Sequence, residues 1–127
     1  IGQAFHITSD ELLTWNQIFE ILAAAAGTKP RIVHVPSDLI GSFDPQWGAG
    51  LFGDKAHSVI FDNSKIKSIA PDFAATISFA DGAKEIISWF DSNPSYQIVN
   101  EETDRMMDKI IAACESIRPC RSQLTCD

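Results

Sequence analysis

Lys55, His57, Lys65 and Lys67 gather positive charge into one short stretch of an otherwise acidic chain. Ammonium groups beside an imidazole suit an anion, and Lys55 or His57 is placed to reach a substrate phosphate or carboxylate. The same residues also read as a solvated helix face and loop charges, offset by Asp54 and Asp62. Just upstream, residues 41–54 carry four glycines, Pro45, Trp47 and two phenylalanines, an apolar content high for a solvated loop. Phe43, Trp47, Leu51 and Phe52 there form either an adaptable wall over a small substrate or packing beneath a long loop. Phe43, Trp47, Phe52, Lys55 and His57 are therefore the expected substrate-binding residues. No residue is assigned to catalysis, cofactor or metal.

His6 and His34 sit in β-type patterns, opposite the aliphatic positions, where they either face a shared cleft or serve as surface and hydrogen-bonded core residues. Asp10 and Glu11 read as helix-capping and dipole-complementing groups, and Asp62 as a cap. The single tyrosine, Tyr96, is followed four residues on by Asn100, so no Tyr-x-x-x-Lys pair is present. Cys114, Cys120 and Cys126 recur every six residues, a spacing that matches no four-ligand zinc motif. They read as reduced thiols, with a Cys120–Cys126 disulfide as the other choice. With 10 basic and 17 acidic side chains, the formal charge of −7 disfavours a general phosphate-backbone binder.

The elements that must position these groups follow from periodicity and punctuation. At 127 residues and 45% hydrophobic content the chain fits one domain with a filled core. Residues 4–8 alternate as a short strand with Phe5 and Ile7 on one face. Thr8 and Glu11 form a capping-box pattern before a helix over about 9–26, whose stripe is Leu12, Trp15, Phe19, Leu22 and Ala26, with Ile18 beside it. Gly27 ends that helix and Pro30 prevents its resumption. Residues 31–35, between Pro30 and Pro36, read as a second strand, joined to the first by a helix long enough for a parallel crossover.

Residues 36–40 start a short helix, and 58–61 are a third strand candidate. Asp62 or Asn63 caps a helix over 64–69 that Pro71 stops. Ser78 and Asp81 form a further capping box, leading into Ala83, Ile86, Ile87 and Phe90 and closing near Asn93-Pro94. A last helix spans about 101–117, with Met107, Ile110, Ile111, Cys114 and Ile117 on one stripe and Glu101, Glu102 and Asp104 at its positive end. Residues 118–127 read as a loose tail. No apolar run is long enough to span a membrane, no signal peptide is visible, and the reduced thiols fit the cytoplasm. The opening at Ile1-Gly2 without Met suggests a boundary inside a longer protein, and processing would leave the same start.

Phe61-Asp62-Asn63-Ser64-Lys65-Ile66-Lys67, followed by Pro71-Asp72-Phe73, then Gly82 and Trp89, resembles the C-terminal region of the NAD-dependent epimerase/dehydratase family, the extended short-chain dehydrogenases. There an Asp-x-Ser-Lys turn, a short helix, a Pro-containing turn and a helix beginning near Gly follow in this order. Residues 5–9 and the helix after them look like that family's last sheet strand and entry into its substrate lobe, and 31–36 like the strand beyond. The likeness covers about residues 2–92. Ser68-Ile69-Ala70 replaces the usual Leu-Gly-Trp, and Lys55 and His57 are the nearest cations where many members carry a phosphate-holding Arg.

The resemblance implies an α/β fold, α+β-like in isolation: a helix-rich substrate lobe over residues 1–117 with a small, partly parallel sheet, lacking the Rossmann cofactor half. It implies a domain that shapes the substrate cleft of an NAD(P)-dependent epimerase, dehydratase or reductase and is inactive alone. The expected partners are the Rossmann domain of the same parent chain, which would hold NAD or NADP, and a small-molecule substrate such as a nucleotide sugar. A separate reading is a stand-alone binding module that self-associates through apolar patches, as a homo-oligomer without redox activity. Neither reading calls for nucleic acid or a membrane.

Overall fold

The computed structural model describes residues 2–117. Cys120, Cys126 and the expected tail over 118–127 lie outside the described residues. Among the described residues, six α-helices, one π-helical turn and one 3₁₀ turn make up the regular structure: α1 (Trp15–Ala25), α2 (Ser37–Phe43), α3 (Pro45–Gly50), the π turn (Leu51–Lys55), α4 (Ser64–Ile69), α5 (Phe79–Ser92), the 3₁₀ turn (Pro94–Tyr96) and α6 (Glu101–Ile117). No strand forms among the described residues, which overturns the expected α/β fold with its partly parallel sheet. The chain divides into two compact units.

Why the β-type segments form no sheet is visible at their backbone groups. A strand exists only when its amides and carbonyls meet another strand; alternation supplies a preference and no partner. The Thr8 amide donates to Asn63 Oδ1 at 3.2 Å, and the Thr8 carbonyl accepts from Asn63 Nδ2 at 2.7 Å. The Ala4 carbonyl accepts from Lys65 Nζ at 2.8 Å. Side chains thus occupy groups that a ladder would need. Residues 31–35 lie between prolines and form no strand, and 58–61 leave Val59, Ile60 and Phe61 exposed, Ile60 by 70%.

The first unit comprises residues 2–32 and 59–97 and is organised around α1 against α5. Helix α1 begins six residues later than the sequence pattern predicts because Thr14, and not Thr8, heads the capping box. Thr14 Oγ1 accepts from the Gln17 amide at 3.3 Å, and the Thr14 amide donates to Gln17 Oε1 at 2.8 Å. At its other end Gly27 adopts φ +69°. Its amide donates to Ala24 O at 3.1 Å and the Thr28 amide to Ala23 O at 2.9 Å. That pair of bonds is a Schellman closure, in which the left-handed residue is cheapest as glycine.

Helix α5 is capped as its sequence predicts, with Ser78 Oγ accepting from the Asp81 amide at 3.1 Å. A further acceptor comes from far along the chain, as Glu11 takes the Phe79 amide at 2.7 Å. Small residues mark the buried part of this unit, Ala23 on α1 and Ala83 on α5. Ile18, Ile21 and Leu22 are half-buried. The expected core stripe of α1 instead faces outward at Leu12, Trp15 and Phe19, with Trp15 65% exposed.

The second unit comprises residues 33–58 and 98–117 of the described chain and rests on α2 against α3 and α6. Its buried apolar groups are Ile110 and Cys114 of α6. The Cys114 thiol donates to the His34 carbonyl at 3.7 Å. Asn100 starts α6, its Oδ1 accepting from the Glu102 and Thr103 amides at 3.1 Å each. Between α2 and α3 the single residue Asp44 closes one helix and caps the next, accepting from the Gln46 and Trp47 amides at 2.9 and 3.0 Å.

This tight corner brings Gly48 onto Gly41. A methyl group on Gly48 would stand 2.4 Å from the Gly41 Cα, whereas one on Gly41 would find Gly48 at 3.5 Å, an ordinary contact. Gly48→Ala is therefore expected to force α2 and α3 apart and lower stability by about 1–3 kcal/mol. Gly41→Ala, which gains helix propensity, is expected to be neutral or stabilising by up to about 1 kcal/mol. Urea unfolding of the two variants followed by circular dichroism checks the asymmetry; equal losses would contradict the close crossing.

Candidate functional site

The five expected substrate-binding residues all fall in the second unit, along α2, α3 and the π turn. Phe43 ends α2 and Trp47 sits in α3, where Asp44 holds its amide. Phe52 and Lys55 belong to the π turn, which closes with the Ala56 amide donating to Leu51 O at 2.8 Å. His57 follows, exposed. The segment 41–54, expected as a loop, is thus almost wholly helical. Short runs between Pro36, Asp44-Pro45 and the glycines each close their own turn, which composition alone does not distinguish from a loop.

π-helical turns are rare and recur at functional positions. Here the turn presents Phe52, 57% exposed, beside Lys55. Trp47 is half-buried, and Phe43 is half-exposed at the end of its helix. No hydrogen bond or ring contact links these five side chains to one another among the described residues. They follow one another along successive turns. The Lys55 ammonium pairs with the neighbouring Asp54 carboxylate, so part of the cationic character expected there is offset within that run.

A second surface of this unit is an open groove of about 450 Å³ lined by His34, Asp38, Leu39, Ser42 and Cys114. Two of its polar groups serve the local backbone. Asp38 Oδ1 accepts from the Leu39 amide at 2.9 Å, and Ser42 Oγ donates to the Leu39 carbonyl at 2.7 Å. Cys114, one of three cysteines in the sequence, is buried and forms no disulfide among the described residues.

Lys65 and Lys67, expected to share a rim with Lys55 and His57, belong to the first unit. Their charges are engaged there. Lys65 Nζ lies 4.6 Å from the Phe5 ring centroid as well as on the Ala4 carbonyl. Lys67 Nζ meets Asp10 Oδ2 at 2.7 Å. His6 and His34 are likewise divided between the two units; His6 packs edge-on against Phe61, with ring centroids 5.0 Å apart.

The residue at the centre of this cluster is Asn63, only 5% exposed. An amide has two N–H donors and an oxygen with two lone pairs. Asn63 uses all of that capacity: Nδ2 donates to Thr8 O and to Asp10 Oδ1, and Oδ1 accepts from the Thr8 amide and hydroxyl. The sequence suggests Asn63 only as an alternative helix cap. Its role as a clip has no local signal, because its partners lie 53 to 55 residues away. Asp62 does the local work, accepting from the Ser64 amide at 2.8 Å and the Ser64 hydroxyl at 2.7 Å.

Three carboxyls are held below the ordinary value, each by capping or pairing partners. Asp10 is lowered by its bond to Lys67 and then by Asn63, Asp62 by the Ser64 hydroxyl and amide, and Asp81 by Ser78 and then Lys84. None is held up, as a general acid working near neutrality would be. Among the described residues no group of His, Cys, Asp and Glu is arranged to hold a metal ion, and no helix is long and apolar enough to cross a membrane. No family model, curated protein or solved structure matches the chain.

A lowered carboxyl stabilises the fold above its unfolded value, here 3.8, and that contribution disappears as pH falls through the lower folded value. Lys67→Met removes the largest cause of the Asp10 shift. Its urea midpoint should fall below wild type at pH 7, and the two curves should converge as pH falls below 3.8 and through the lower folded value. A gap that stays constant from neutral to acid pH would mean that the pair contributes packing only.

Proposed function

We propose that the chain is the substrate-binding C-terminal part of an NAD(P)-dependent epimerase, dehydratase or reductase, shaping one wall of the substrate cleft and carrying no turnover of its own. The reading rests on the ordered run Asp62, Ser64, Lys65, Pro71, Gly82 and Trp89, which resembles that family. The local geometry is compatible with it. Asp62 opens a short helix, Pro71 follows its end, and Gly82 stands in the first turn of α5, the helix that carries Trp89. In the parent enzyme a nicotinamide would take up or return hydride at a carbinol carbon, and a cytoplasmic setting suits the reduced Cys114.

Substrate would meet the strip from Phe43 to His57. The aromatic faces of Trp47 and Phe52 offer apolar area, and Lys55 with His57 offers charge to a phosphate or carboxylate. Binding an anion there requires Lys55 to exchange Asp54 for the ligand, which favours a doubly charged group such as a phosphate over a single carboxylate. The cofactor half would pack on the first unit, where extended segments display Ile7, Val59, Ile60 and Phe61. The alternative, a stand-alone module that self-associates, draws on the same exposed side chains.

Two measurements test the proposal. Reading the coding sequence upstream should reveal a G-x-x-G-x-x-G turn and a Tyr-x-x-x-Lys pair; a start codon at this boundary would favour the stand-alone module. In the full-length product, Lys55→Ala should raise KM for a phosphorylated substrate roughly tenfold, one charge-assisted hydrogen bond's worth, while NAD(H) affinity is unchanged. An unchanged KM would remove this strip from the substrate site, and tight NAD(H) binding by the 127 residues alone would contradict the division of labour.

A further inference from the structure

We draw no further inference here: the strongest candidate, the exposed apolar stripes on α1 (Trp15 and Phe19) and α5 (Ile86 and Trp89) of the first unit, carries nothing because nothing in the structure shows what covers them or that they form one continuous face.

Discussion

One buried carboxamide organises the first unit. Asn63 grips both backbone groups of Thr8 and the Asp10 carboxylate, tying the N-terminal segment to the start of α4. Polar groups removed from water must find partners or cost about 1–3 kcal/mol each, and Asn63 satisfies its own four by satisfying those of Thr8 and Asp10. Neighbouring contacts run between the same two segments: Lys67 on Asp10, Lys65 on the Ala4 carbonyl and the Phe5 ring, and His6 against Phe61. Glu11, held close by, then reaches the first amide of α5. A chain of side-chain bonds therefore does in this unit what a strand ladder does in a sheet.

That arrangement changes how the cations are understood. As a set along the sequence, Lys55, His57, Lys65 and Lys67 resemble an anion-holding rim. In the structure Lys65 and Lys67 are tied into the first unit, and Lys55 is paired with Asp54. Exposed pairs of this kind contribute little to stability because water screens them, and for the same reason Lys55 can exchange partners at small cost. Under the proposed reading, Lys55 and His57 would be the groups left to meet an anionic ligand.

The two units also use their small residues differently. In the first, Ala23 and Ala83 occupy the buried part of the α1 and α5 pair, while larger apolar side chains on the same helices remain outside, Trp89 among them, packed against Phe90 and Tyr96. In the second, Gly41 and Gly48 let two short helices touch at the backbone. Helices of seven and six residues have little intrinsic stability, so a close crossing and the doubly used Asp44 cap compensate for their length.

Features built from neighbours two to five residues apart were legible in the sequence. The Ser78 cap, the Gly27 termination, the span of α6 with its acidic first turn, the Asp62 cap and the stop before Pro71 all depend on such local geometry. The structure alone decided matters of distant partnership: that Thr8 would bind Asn63, that Glu11 would serve α5 and leave Thr14 to start α1, and that Trp15 and Phe19 would lie outside the core. The segment that carries Phe43, Trp47, Phe52 and Lys55 stood out in the sequence for its composition, and its helical form did not. A periodic apolar pattern states that a face can be buried, and an alternating one that a strand can pair. Whether a surface or strand arrives to meet them is fixed by contacts more than fifty residues apart, which no local pattern encodes.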